Sequence, residues 1–311
     1  MAIADAKIRS FGTQQALTPL ARATLALALL CAGLIALFHD AALSMASIWF
    51  GSSVYHHGAI VAPISIWLIW RELSWRPIAP TADWRGVAII AVAAASLMIA
   101  RAEEIALIGH AALATALIGA VVAIYGSGLA RRWGFALGFL YFMVPFGEEL
   151  TPALQRLTAI AVAAMLDFSG VETARDGVML TTAIGRFEIA PSCAGLRFLL
   201  ASAMLSALVS HLAFRDWRKG AAFIAAALVA AVLANWLRAF LIVSLATATD
   251  LRLGVGPEHV ALGWVLYAAM IAGLILLARR CADRPTGASS SAKKRPESPE
   301  TGASRFSTLE P

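Results

Sequence analysis

The side chains best suited to chemistry lie in the second half of the 311-residue sequence: Cys193, Arg238 and His259. A cysteine acts as a nucleophile in its thiolate form, and a nearby histidine can take the thiol proton and later deliver it to a leaving amine. A fixed arginine can hold the thiolate or stabilise the oxyanion that forms on a scissile carbonyl. The three residue types together predict acyl transfer, provided that the fold brings them to one place.

Each of the three residues also has a purely structural interpretation. Pro191 and Ser192 introduce an apolar run, so Cys193 lies near a helix N-terminus, where the macrodipole favours a thiolate. A cysteine in a membrane span is nevertheless more often a small apolar filler. Arg238 can snorkel to the membrane interface, and His259 can be an ordinary interfacial residue. The residue types alone leave both interpretations open.

Two further polar residues accompany this set. Arg197 follows the cysteine by one helical turn and can pair with a carboxylate, such as that of Glu188 or Glu258, or bind a carboxylate of a substrate. Asn235 precedes the arginine by three residues and can cap unpaired backbone groups beside it. We expect both residues to support the site or to bind substrate.

The composition specifies the environment in which these residues must work. Of all residues, 60% are hydrophobic and 14% are charged, and the mean hydropathy is +0.76. A soluble domain carries about 25% charged residues, so this chain cannot present a normal aqueous surface. The net charge of +6 does not indicate a nucleic-acid partner, because the basic residues form short clusters between apolar runs, as in cytoplasmic loops of membrane proteins.

The apolar runs predict an all-α polytopic membrane protein with about eight transmembrane helices, since each span needs roughly 20 residues. Alternating orientations put the basic clusters and both termini on the cytoplasmic side. Arg238 lies roughly 19 residues beyond Lys219, or about 28 Å along a helix, which brings it level with Cys193. His259 opens the last span from the same side. The predicted spans are 23–39, 55–71, 86–101, 105–125, 132–146, 194–213, 220–247 and 260–279.

Two segments between the spans differ from the rest. Residues 151–168 begin with Thr-Pro and carry Gln155, Arg156 and Asp167, which predicts an interfacial helix on the outer surface. The alternative is a short ordinary span. Residues 170–192 contain turn residues around β-rich stretches, which predicts a small extracytoplasmic β-hairpin region. With these segments, the expected organisation is a cytoplasmic N-terminus at 1–22, a transmembrane domain at 23–282 with its extracytoplasmic segment at about 147–192, and a disordered cytoplasmic tail at 283–311.

The sequence gives no reason to expect a metal or a cofactor. The cysteines Cys31, Cys193 and Cys281 are odd in number and have no paired spacing. Cys31 lies within the first span without polar neighbours and is interpreted as apolar filler. His56 and His57 are adjacent, but no further residue at ligand spacing makes them a metal site.

Four motifs resemble those of the exosortase/archaeosortase family, which comprises membrane cysteine proteases or transpeptidases. PSCAGLRFLLASAMLSALV resembles the cysteine motif, NWLRAFLIVSLA the arginine motif and EHVALGWVLYAAM the histidine motif. SIWFGSSVYHHGAIVAPISIWLIWRE resembles the family's Trp…His-Gly segment and the span after it. The motifs occur in the family's order, and the resemblance covers roughly residues 40–280. One departure is Ala194 after the cysteine, where the family often has serine.

The resemblance implies catalytic roles for Cys193, Arg238 and His259. It also implies a substrate class: exported proteins whose C-terminal tail has a PEP-CTERM-like motif, a transmembrane helix and a basic cluster. The enzyme would cleave near the motif and pass the acyl group to an acceptor. The expected location is the bacterial inner membrane, with the site facing the periplasm. The lipid bilayer is then a partner, and polysaccharide assembly proteins are further candidate partners.

Two other classes of function remain as alternatives. A transporter or flippase could use Arg238 and His259 to guide an anionic substrate, but it would be expected to have paired discontinuous helices and repeated halves. The sequence contains no internal repeat. The other alternative is a non-catalytic membrane subunit in surface polysaccharide export. Neither alternative requires the thiol of Cys193.

Overall fold

The computed structural model describes residues 18–73, 79–250 and 258–283, with side chains in the last helix from residue 261 onward. Within these residues the chain is mostly helical, as the composition predicts. Most of the predicted N-terminal segment and nearly all of the predicted tail lie outside the described residues. The helices are α1 Pro19–Leu37, α2 His39–Gly51, α3 Gly58–Leu73, α4 Trp84–Ala102, α5 Ala106–Arg132, α6 Gly134–Phe139, α7 Thr151–Phe168, α8 Leu196–Ala213, α9 Trp217–Ala248 and α10 Glu258–Cys281.

Six helical stretches in the described part of the chain are long and apolar enough to cross a membrane. They support a multi-pass membrane protein, but the predicted count of eight spans is not confirmed. The predicted span at 55–71 corresponds to α3, which has 16 residues and contains Pro63. The predicted span at 132–146 corresponds to α6 and the 3-10 turn after it, Gly134–Met143. Both are shorter than the roughly 20 residues that cross the hydrocarbon layer.

Helix α7 occupies the segment predicted to lie at the interface. It has 18 residues, yet it is not among the six apolar stretches. One face is buried through Thr158, Val162 and Leu166, whereas Leu157 and Ile160 are exposed. The helix is therefore amphipathic, and its position at the outer interface stays a prediction.

A three-stranded antiparallel sheet follows α7. Its strands are β1 Ala174–Asp176, β2 Met179–Thr182 and β3 Gly185–Glu188. Strands β2 and β3 lie in the two β-rich stretches of the sequence, and β1 adds a strand that the predicted hairpin did not include. Leu180 of β2 is fully buried against α7 and α9. The sheet thus covers one end of the helix pair that carries Asn235 and Arg238.

The first half of the chain forms a tightly packed support around α5. Helix α4 approaches α5 so closely that a Cβ at Gly86 would lie 2.1 Å from the backbone nitrogen of Ala123. Helix α5 breaks at Gly126, whose φ is +85°. Just after this break, the Asp83 carboxylate accepts a hydrogen bond from the Ser127 backbone N–H at 3.1 Å. These contacts fix α5, whose first turns form one wall of the cavity described below.

Candidate functional site

Cys193 ends a short 3-10 turn, Pro191–Cys193, immediately before α8. Its backbone N–H donates to the Ala190 carbonyl at 2.8 Å. Gly195 then adopts a φ of +91°, which turns the chain into the helix. Glycine adopts this left-handed conformation without the strain that a side chain would introduce. The thiol is half-buried near the N-terminus of α8, as the sequence predicts.

Asn235 of α9 holds the cysteine turn in place. Its side-chain Nδ2 donates to the Cys193 carbonyl at 2.9 Å, and the side chain is 2% exposed. A Cβ at Gly195 would lie 2.6 Å from the Asn235 Cγ. The asparagine therefore does cap a backbone group, and that group belongs to the cysteine itself. The close contact with Gly195 fixes the position of the Asn235 side chain.

Arg238 lies one turn further along α9 and is 5% exposed. Its guanidinium carbon is 5.8 Å from the centre of the Phe198 ring. The buried Nε has no hydrogen-bond partner among the described residues. None of the ion pairs found in the described part of the chain includes Arg238. The side chain thus lies in the protein interior, and no ion pair among the described residues compensates its charge.

Arg197 of α8 is half-buried on the same aromatic ring, 5.1 Å from the centre of Phe198. It forms no ion pair with Glu188, and the side chain of Glu258 lies outside the described residues. Two guanidinium groups therefore approach one phenylalanine, and no carboxylate among the described residues is paired with either.

His259 is the second residue of α10, and its side chain lies outside the described residues. Further along α10, the packing against α9 is defined. Gly263, one turn later, packs on the arginine so closely that a Cβ there would be 2.9 Å from the Arg238 Nε. The first turns of α10 are therefore adjacent to the Arg238 region of α9.

A cavity of about 1000 Å³, here called the reaction cavity, lies next to several of these residues. Cys193, Arg197 and Arg238 all contribute to its lining. The opposite walls come from the α2–α3 turn, the start of α5 and the segment that leads into α7. The structure thus brings together the predicted nucleophile and both arginines, with Asn235 behind them. Among the described residues, no group of His, Cys, Asp and Glu is arranged to hold a metal ion.

Several residues of the reaction cavity did not emerge from the sequence. Glu148 and Glu149 are exposed on its rim, and Tyr55 and His110 are buried in its walls. The Tyr55 hydroxyl donates to the Phe146 carbonyl at 3.3 Å. Burial raises the pKa of Tyr55, and the charges of Glu148 and Glu149 raise it further. In the sequence the acidic pair marked only a break between apolar runs.

The Trp…His-Gly segment forms one side of this cavity. Trp49 donates from its indole Nε1 to the Met143 carbonyl at 2.8 Å. A Cβ at Gly58 would lie 2.4 Å from the same Nε1. Only glycine therefore allows α3 to begin directly against this tryptophan. The motif anchors the turn between α2 and α3, which lines the reaction cavity.

Comparison with known proteins identifies one family. The model of the transmembrane exosortase family (Exosortase_EpsH) matches residues 47–276. No curated protein and no solved structure gives a significant match to the chain. The matched region includes Trp49, Cys193, Arg238 and His259, and it covers well over half of the sequence. The chain belongs to the transmembrane exosortase family.

Proposed function

We propose that this protein is a membrane-embedded cysteine endopeptidase or transpeptidase that processes the C-terminal sorting signal of exported proteins. The observation that carries the proposal is the shared lining of one cavity by Cys193, Arg197 and a buried Arg238 that has no ion-pair partner among the described residues. A nucleophile beside fixed cations is the arrangement that acyl transfer requires. The expected substrates carry a PEP-CTERM-like motif, a transmembrane helix and a basic cluster.

In the first half of the proposed reaction, the Cys193 thiolate attacks the carbonyl carbon of the scissile peptide bond. The carbonyl oxygen becomes an oxyanion, which the Arg238 guanidinium stabilises. An unpaired buried charge is costly, and an anion formed next to it removes that cost in the transition state. The C–N bond then breaks, and the leaving amine takes the proton that His259 accepted from the thiol. The product is a thioester on Cys193.

In the second half, an acceptor nucleophile attacks the thioester carbonyl and the thiolate leaves. His259 takes the proton of the acceptor, which restores the resting state. Water as the acceptor gives hydrolysis, and an amine or hydroxyl group gives transfer. Arg197, on the same wall of the reaction cavity, is suited to hold a carboxylate of the substrate. We place this chemistry at the periplasmic face of the inner membrane, with both termini in the cytoplasm.

Replacement of the nucleophile tests the proposal. Cys193→Ala removes the attacking sulfur, so processing of a tail-bearing reporter should be abolished while the protein remains in the membrane at normal abundance. Cys31→Ala is the matched control and should process the reporter at the wild-type rate, because Cys31 lies in α1, away from the reaction cavity. Immunoblotting of the reporter measures both. Processing by the Cys193→Ala variant would refute the assignment of Cys193 as the nucleophile.

A further inference from the structure

A second cavity, of about 270 Å³, adjoins the reaction cavity and is here called the side pocket. The two share Ser53, Val54 and Arg197 in their linings. The side pocket extends from this shared wall towards α10. Its remaining lining is largely aromatic and comes from the turn before α3, from α8 and from α10; it includes His57, Phe198, Ala201, Trp264 and Tyr267.

The chemistry of the side pocket differs from that of the reaction cavity. Phe198 and Tyr267 stack with their ring centres 5.0 Å apart, and Trp264 is 66% exposed. The reaction cavity has the acidic pair, the thiol and the two arginines in its lining. Arg197 therefore stands where an apolar, aromatic pocket meets a polar, charged cavity.

Helices α3 and α10, which flank the side pocket, pack mainly on other elements. Helix α10 packs mainly on α9 and α8, whereas α3 packs mainly on α6 and the 3-10 turn after it. The side pocket lies between the turn before α3 and the first half of α10. Among the described residues, α3 and α10 are not major packing partners. Both helices present exposed apolar side chains, among them Ile60 on α3 and Val265 on α10. A segment within the membrane could reach the pocket from there without crossing the bundle.

Building on the proposed function, we infer that the side pocket is the entry and binding site for the membrane-spanning helix of the substrate. A large apolar side chain of that helix fills the aromatic pocket, and the polar residues before the helix pass Arg197 to reach Cys193. The lining changes from apolar in the side pocket to polar in the reaction cavity. The substrate tail changes in the same way, from an apolar membrane span to a polar motif. A lipid acyl chain fits the apolar part but has no polar chain that continues into the reaction cavity.

A substitution that fills the side pocket tests this inference. Ala201 lies in the side pocket, so Ala201→Phe occupies the space that the substrate side chain needs. We expect processing of a membrane-anchored reporter to slow by about tenfold or more, the factor that corresponds to loss of burial of one large apolar side chain. Alkylation of Cys193 by a small thiol reagent should be unchanged, which shows that the site is intact. Ala95→Phe is the matched control on an exposed face of α4 and should have no effect.

Cross-linking gives a second test that does not depend on the Ala201→Phe variant. A photoreactive amino acid at position 264, in the Cys193→Ala background, should cross-link to the helix of the reporter tail. The same probe at the exposed Trp84 of α4 is the control and should not. Equal cross-linking at the two positions, labelling by lipid alone at position 264, or wild-type processing by Ala201→Phe would overturn the inference. Since Cys193→Ala alone tests the nucleophile, loss of the entry site and loss of the proposed function give different results.

Discussion

At the scale of single residues, the polar side chains of this site differ in whether they have a partner. Asn235 fixes the Cys193 carbonyl, whereas Arg238 has no ion-pair partner among the described residues. In a low-dielectric interior such a charge acts strongly on any anion that forms nearby. Catalytic power should therefore depend on the geometry of the guanidinium as well as on its charge.

Arg238→Lys tests this dependence. Lysine keeps the positive charge but replaces the planar fork by a point charge. We expect processing to fall by about 100-fold, as when one oxyanion donor is removed. The matched control is Arg101→Lys, which changes an exposed arginine that pairs with Asp40 at 2.8 Å. Processing rates and membrane abundance should be measured together. A lysine variant with wild-type rates would show that charge alone suffices.

Gly195→Ala tests the turn that presents the thiol. The φ of +91° costs an alanine about 1–2 kcal/mol, and the new Cβ would collide with Asn235. We expect displacement of the cysteine turn and a drop in processing of about tenfold or more. Gly33→Ala, in α1 with open space around it, is the control. The thermal transition in detergent should fall for Gly195→Ala and stay unchanged for Gly33→Ala.

At the scale of elements, helix ends determine where the functional residues lie. Helix α10 is tied to the loop before α9 by Asp283, whose carboxylate accepts from the Arg215 backbone N–H at 2.8 Å and from the Lys219 ammonium. The Lys219 ammonium and this backbone N–H lower the pKa of Asp283 from 3.8 to about 2. The contact fixes the end of α10 that is remote from His259 and Gly263.

This contact predicts a specific dependence on pH. Because the pKa of Asp283 is lower in the folded state than in the unfolded state, its stabilising effect is present above the unfolded pKa of 3.8 and is lost as the pH falls towards about 2. Asp283→Asn should lower the thermal transition in detergent at pH 7. The difference between variant and wild type should shrink below about pH 4. A difference that is constant over this range would contradict the assigned ion pair.

At the scale of the whole molecule, the sequence was a better guide to which residues lie together than to how the chain crosses the membrane. Helix periodicity and the 1.5 Å rise put Cys193 and Arg238 at one level, and the structure has both in the reaction cavity. The count of eight spans is not confirmed, because mean apolarity does not reveal helix length: α3 starts only at Gly58, where Trp49 packs, and α6 ends after six residues. Tyr55 and Glu148 join the site through contacts between distant segments, which local patterns do not encode.

The overall topology can be tested with two of the three cysteines, Cys193 and Cys281. A membrane-impermeant thiol reagent added from the periplasm should label Cys193 when it is the only cysteine. A variant that retains only the exposed Cys281 at the end of α10 should be labelled from the cytoplasmic side alone. The physical reason is that α10 is long enough to carry its two ends to opposite faces. Labelling of both cysteines from one side would require the predicted orientation to be redrawn.

The contact between Gly263 and Arg238 has a consequence for the motion of α10. A turn of about 100° around the helix axis would replace the glycine by a neighbouring residue, Leu262 or Trp264, at the same place. Either side chain would drive the guanidinium from its position, since even one carbon atom there would lie 2.9 Å from its Nε. Helix α10 can therefore tilt or slide, but it cannot rotate while the arginine stays in place. The close approach of Gly263 to Arg238 therefore fixes the rotation of α10 about its own axis.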